Sequence, residues 1–167
     1  MQADFKDILN QHQALLSRVA SSYEANDALQ QELLQEIALA VWQGLARFNG
    51  EASLKTYILK IAHNRAVTHV CKEVKKQEVS GHDNDDWEFA PGQANMQPHE
   101  VAEQQADIQQ LLVAVRALPV AMRQVLTLTL EGLSYIEIAE ICGITKNHVG
   151  VLLQRAKTQL QQELQHA

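Results

Sequence analysis

The 167 residues are enough for one ordinary domain or two small helical ones, and a hydrophobic content of 46% excludes a disordered polymer. Two cysteines, Cys71 and Cys142, without a CxxC argue against a disulfide framework or a zinc site and suit a reducing cytoplasm. The net charge of −6 argues against nucleic-acid binding only until it is located: residues 1–78 carry nine Lys+Arg against nine Asp+Glu, residues 106–167 five against five, and residues 79–105 none against six.

Aromatics are scarce and Ala, Leu, Gln and Glu common, which predicts an all-α protein. The N-terminus MQADFKDILN has acids and no apolar centre, so it does not read as a signal peptide. No stretch is apolar for the roughly 18 residues that a membrane span needs. The first helix is expected over 4–22, with Phe5, Ile8, Leu9, Leu15, Leu16 and Val19 at three- and four-residue spacing and Asp4 as cap. The second runs over 27–48 from an Asp27 cap, with Leu29, Leu33, Ile37, Ala40, Val41, Leu45 and Phe48 inward and Asn49-Gly50 as the stop. Leu34 and Trp42 fall off the centre of that stripe, so Trp42 is either a core-edge residue or part of an apolar surface for a partner.

The third helix, 53–76, begins at Ser53 and is apolar at Leu54, Ile58, Ile61 and Ala62. The same face then becomes Arg65, His69, Lys72 and Lys76, while the apolar residues swing round to Ala66, Val67, Val70 and Val74. Six bases against one acid, with Tyr57, His63 and Asn64 alongside, suit phosphates and unstacked bases; the plainer alternative is a solvated face. Gly81, Pro91, Gly92 and Pro98 then break any helix and mark an acidic, flexible linker, in which Trp87 and Phe89 are unusual.

The fourth helix is expected over 100–117 with Val101, Ile108, Leu111, Leu112 and Val115 inward. The fifth runs from Pro119 to about Leu130 with Met122, Val125, Leu126 and Leu130 inward. Tyr135 to Gln154 then reads as a helix-turn-helix. Ile138, Cys142, Ile144, Val149 and Leu152 stand at its apolar positions, Ala139 where the two helices touch, and Gly143 at the turn. Ser134 caps the first helix, with Glu137 completing a capping box, and Thr145 caps the last, 146–164, whose stripe is Val149, Leu152, Leu153, Ala156, Leu160 and Leu164. Lys146, Asn147, His148, Gly150, Val151, Arg155 and Lys157 are left for the groove or the phosphates.

The block ELLQEIALAVWQGLARFNGEASLKTYILKIAHNRAVTHV, a polar linker, and LPVAMRQVLTLTLEGLSYIEIAEICGITKNHVGVLLQRAK together resemble bacterial RNA polymerase sigma factors of the sigma-70 family, and the size resembles their two-domain extracytoplasmic-function type. The resemblance covers about residues 5–76 and 106–164. It implies two helical domains, 1–78 and 106–167, on either side of a 79–105 linker. Glu32, Leu33, Gln35, Glu36 and Ile37 match the motif that docks on core polymerase, and Trp42 an apolar position of the same helix. Gly50 to Tyr57 matches the segment that captures a flipped base of the −10 element, with Tyr57 where the family often has Trp. Ile61 to Arg65 matches the helix that reads and melts that element. The implied −10 contacts are Ser53, Lys55, Tyr57, Asn64, Arg65, His69 and Lys72. The implied −35 contacts are Ser134, Thr145, Lys146, Asn147, His148, Val151, Arg155 and Lys157, while Leu152 stands where the family commonly has a base.

The function so implied is promoter recognition and DNA opening for transcription initiation in the cytoplasm. The implied partners are core RNA polymerase, promoter DNA and an anti-sigma factor, with no cofactor, no metal and no membrane insertion. The competing reading, an autonomous helix-turn-helix regulator, leaves Glu32 to Trp42 unexplained. An enzyme is not expected: the sequence has no HExxH and no phosphate loop, and His63 and His69, six apart, do not share a helical face.

Overall fold

The computed structural model describes residues 2–79 and 99–165, and the side chains of 4–76 and 104–165. Among the described residues there are seven helices and no strand: α1 (Gln2–Tyr23), α2 (Asp27–Leu45), α3 (Leu54–Val79), α4 (His99–Ala117), α5 (Val120–Leu130), α6 (Tyr135–Cys142) and α7 (Lys146–Gln165). The expected Trp87, Phe89 and Val101 positions lie outside the described side chains.

Helix α1 packs on α2 and α3, and α7 collects α4, α5 and α6. Leu16, Leu33, Ile37, Val41, Ile58, Leu59 and Ala62 are closed off in the first unit, and Val125, Leu128, Ile138, Val149 and Ala156 in the second. These belong to one contiguous apolar core, because α1 also packs against α4 and α5. The stripes expected for α1, α2 and α7 are therefore largely the ones buried. Five residues expected to face inward are exposed where a helix runs past its support. Ile108 and Leu111 are exposed because residues 104–110 of α4 lie in solvent and only Ala114, Val115 and Leu118 reach the core. Leu130, 70% exposed, and Val74 and Leu164 are likewise at helix ends beyond the packed turns.

Two caps shift. Asp4 lies inside the first turn of α1, which begins at Gln2. Helix α2 is capped by Asn26, not Asp27: the Asn26 Oδ1 accepts from the Leu29 amide at 3.0 Å, so Asp27 adds its charge to the first turn instead. The Asn49-Gly50 stop does not hold: α2 ends at Leu45 with Ala46 as its cap, and Phe48 and Gly50, the latter at φ +81°, lie in the loop beyond it. The signals at Ser53, Ser134, Thr145 and Gly143 hold. Ser53 accepts from the Thr56 amide, Ser134 from Glu137 and Thr145 from His148. Gly143 takes φ +70° between α6 and α7, and its amide and that of Ile144 both return to the Ala139 carbonyl.

A buried polar group joins the two units. The Tyr23 hydroxyl of α1 and His63 Nδ1 of α3 share a 2.7 Å hydrogen bond. The Arg123 guanidinium of α5 lies 5.6 Å from the Tyr23 ring centre and donates to the Arg116 and Leu118 carbonyls at the end of α4. Arg116 Nε in turn donates to the Ser21 carbonyl of α1 at 2.8 Å. His63 is fully buried and its Nε2 has no partner. Burial holds its pKa down at about 4, the nearby Glu131 pulling weakly the other way.

The native fold thus accepts neutral His63, whereas an unfolded chain protonates it near 6.5. The stability due to this group is whole above about pH 6.5 and is lost as pH falls towards about 4. Between pH 7.5 and pH 5 the loss is about 2 kcal/mol. Denaturant titrations of wild type and His63→Gln at both pH values check this. Wild type should lose more stability than the variant by about that amount, and equal losses would remove His63 as the cause.

Candidate functional site

On α2, residues three and four apart share a face. Glu32, Gln35, Glu36, Leu39 and Trp42 are all solvent-exposed at that spacing, with Leu39 at 54% and Trp42 at 55%. The face is an apolar strip rimmed by two carboxylates, backed by the fully buried Leu33 and Ile37. Those two, expected among the partner contacts, instead anchor α2 to the core and so position the face. Leu39 was missed in the sequence; its i+3 relation to Glu36 and Trp42 was the available signal. Trp42 is thus part of an exposed surface and not a core-edge residue.

Helix α3 presents Asn64, Arg65 and Lys72 to solvent. His69 does not share that face: it is 8% exposed and its Nε2 lies 3.0 Å from Glu24 Oε1, so it faces α1 and is removed from the expected DNA-contact stripe. Tyr57 is half-buried. Its hydroxyl donates to the Gly44 carbonyl at 2.6 Å and its ring centre lies 5.0 Å from that of Phe48, which ties the start of α3 to the end of α2. In this conformation it braces the fold, and stacking on a base requires it to leave Gly44.

The first turn of α3 meets the second unit. The Ser53 hydroxyl donates to the Thr56 hydroxyl at 2.8 Å, and Thr56 donates to Glu137 Oε2 of α6 at 2.9 Å. Glu137 Oε1 accepts from the Ser134 hydroxyl at 3.2 Å, so this carboxylate serves a side chain of each unit. Lys55 Nζ donates to the Glu131 carbonyl at 2.6 Å and lies 4.0 Å from its Oε2. Arg18 of α1 grips both oxygens of Glu131, Nε at 2.7 Å and Nη2 at 3.0 Å. Ser53, Lys55 and Ser134, all expected at DNA, are therefore beside one interdomain junction.

The α6–turn–α7 unit has the expected helix-turn-helix arrangement. Lys146, Asn147, His148, Val151, Gln154, Arg155 and Lys157 are exposed on α7, and Thr145 sits at its cap. Asn147, Gly150, Val151, Gln154 and Arg155 line one shallow concavity. Leu152 is 7% exposed and belongs to the core with Val149 and Leu153, so it is not a groove position lacking a base. Among the described residues, no three His, Cys, Asp or Glu side chains are grouped to hold a metal.

The family model of Sigma-70 region 2 matches residues 8–75, and that of Sigma-70, region 4, matches residues 108–160. The RNA polymerase sigma-H factor of Pseudomonas aeruginosa is 28% identical over 163 residues, covering 93% of this chain and 82% of that protein. The sigma factor YlaC of Bacillus subtilis is 28% identical over 134 residues, covering 80% and 76%. Among solved structures, RpoE of Bartonella quintana with the anti-sigma factor NepR has a TM-score of 0.75 at 23% identity, covering 97% of each chain. CnrH with the cytosolic domain of CnrY has a TM-score of 0.67 at 18% identity, covering 99% of this chain and 90% of that one. With both family models matched in order on this all-helical fold, the chain belongs to the sigma-70 family of RNA polymerase sigma factors. It directs transcription initiation at promoters.

The burial of Leu152 generates a test. Leu152→Arg forces a charge into the core of the helix-turn-helix and should cost several kcal/mol, about 2–5 for a core site of this kind. Val151→Arg, at a 46% exposed neighbour, should stay within about 0.5 kcal/mol of wild type. Urea titration of the two variants checks the pair; equal stability of both would refute the inward placement of Leu152.

Proposed function

We propose that residues 1–78 hold the polymerase and open DNA, and that residues 106–167 read the −35 element. The outer face of α2 is the observation that carries this reading. An exposed Trp and Leu rimmed by Glu32 and Glu36 suit a protein partner, and the acids are unsuited to nucleic acid. On this reading core polymerase binds at Glu32, Gln35, Glu36, Leu39 and Trp42. Asn64, Arg65 and Lys72 contact the −10 element, and the exposed face of α7 enters the major groove at the −35 element with Arg155 and Lys157 towards phosphates. An autonomous regulator would have no use for the α2 face.

The chain on this reading contributes binding energy and no bond-making chemistry, works without a cofactor, and acts in the cytoplasm with the polymerase. No described helix is long and apolar enough to cross a membrane. The two solved relatives were each captured with a bound protein, NepR or the CnrY cytosolic domain. An anti-sigma partner covering the α2 face is part of the proposal.

In vitro transcription with core polymerase tests the assignment. Asn64→Ala with Arg65→Ala, both at exposed positions, should abolish promoter opening while core binding persists. Trp42→Ala should weaken core binding about tenfold, as expected for an interface aromatic. Unchanged transcription by the double variant would overturn the −10 placement, and unchanged core affinity of Trp42→Ala the α2 one.

A further inference from the structure

Helix α7 turns its sides to three different surroundings. Successive residues rotate about 100° around a helix, so Val149, Leu152, Leu153 and Ala156 form one face, buried against α5 and α6. Opposite that face stand Asn147, Val151, Gln154 and Thr158, all exposed. Lys146 and Lys157 lie along one edge between the two faces, His148 and Arg155 along the other, and these too are exposed. The cations are therefore on the flanks, and the outermost line holds none.

A helix laid in a major groove puts its outermost line on the base edges and its flanks beside the phosphates of the two strands. On α7 the flanks supply charge, while the base-facing line supplies two carboxamides and a branched apolar side chain. Guanine presents two acceptors, O6 and N7, which an Arg or Lys matches; adenine presents the N7 acceptor beside the N6 amino donor, which one carboxamide matches by donating through N–H and accepting through its oxygen. Among the described residues neither the Asn147 nor the Gln154 carboxamide is engaged within the chain. The Thr158 hydroxyl, by contrast, donates to the Gln154 carbonyl at 3.0 Å.

Between the two amides lies Val151, 46% exposed. Gly150 beside it carries no side chain, and the two share a shallow concavity with Asn147, Gln154 and Arg155. An apolar contact there suits the 5-methyl group of thymine. Asn147 and Gln154 are seven residues apart, about 10.5 Å along the helix axis. At about 3.4 Å per base pair this is about three steps of duplex.

Resting on the assignment of α7 to the −35 element, we propose that Asn147 and Gln154 each read an adenine, about three base pairs apart, and that Val151 reads a thymine methyl between them. The chain is thereby a reader of A·T pairs at this element. Lys146, Arg155 and Lys157 supply affinity through phosphates and no sequence preference.

Holoenzyme assembled from core polymerase and the full chain, selecting promoters from a pool randomised over the −35 element, tests this. Wild type should enrich two adenines about three base pairs apart with a thymine between. Asn147→Ala and Gln154→Ala should each lower the adenine preference about tenfold at one of the two positions and leave the other intact. Asn147→Arg and Gln154→Arg should each move the preference at its own position to guanine, a gain that a misfolded chain cannot produce. Lys157→Ala should weaken binding to every sequence alike and leave the selected pattern unchanged.

An adenine preference that survives both alanine variants is read from duplex shape and would overturn the direct contacts. Enrichment of guanines by wild type would also overturn them while leaving α7 at the −35 element. A pool with no enriched sequence there, transcribed at the wild-type rate, would instead remove the −35 assignment itself and the code with it.

Discussion

The Arg123 guanidinium sits where α4 ends, bonded to the Arg116 and Leu118 carbonyls at 2.6 and 2.9 Å and 5.6 Å from the centre of the Tyr23 ring. One planar cation thereby satisfies carbonyls that a helix end leaves without partners and covers an aromatic from the other unit. Tyr23 passes the constraint on through its hydrogen bond to His63 on α3. Arg116, whose carbonyl accepts from Arg123, donates through its own Nε to the Ser21 carbonyl of α1. Burial lowers the pKa of both arginines from its ordinary value, so each charge carries a desolvation cost that its hydrogen bonds must offset. The position of α4 and α5 on α1, and with them of the helix-turn-helix, depends on that balance.

This balance differs in kind from the rim around Glu131. Tyr23, His63 and Arg123 are buried and insensitive to salt, while Arg18 and Lys55 are half in water. Arg123 Nε and His63 Nε2 are buried without partners, so the buried group is not fully satisfied. The two units are thus joined by a dry centre carrying two unmet polar atoms and by a wet, screenable rim.

What was legible in the sequence was local. Ser53, Ser134, Thr145 and Gly143 act over three or four residues, and the helix-turn-helix follows from them and from a short apolar pattern. What was not legible depends on chain brought from far away. His69 continues a basic stripe in the sequence, but Glu24, 45 residues earlier, turns it inward. Leu152 fits both a groove-facing and a core position in one dimension; packing with Val149 and Leu153 decides it. Ile108 and Leu111 have core spacing, yet the first turns of α4 extend beyond the elements that could cover them. At α2 the competing caps Asn26 and Asp27 are adjacent and chemically alike, and only the chain's approach to the helix chooses between them. Glu137 was readable as a capping residue but not as the acceptor for Thr56, 81 residues away.

The formal charge conceals a separation of acids by use. Glu24, Glu131 and Glu137 face polar side chains of the chain itself, whereas Glu32 and Glu36 stand exposed beside Leu39 and Trp42. Helix α7 exposes only Lys146, Arg155 and Lys157 as cations, few for a reader that must hold a duplex unaided. Under the proposed assignment the α2 face compensates for this. Once polymerase is bound there, the second unit meets its DNA as an intramolecular partner at an effective concentration set by the tether, so a sparse set of phosphate contacts suffices.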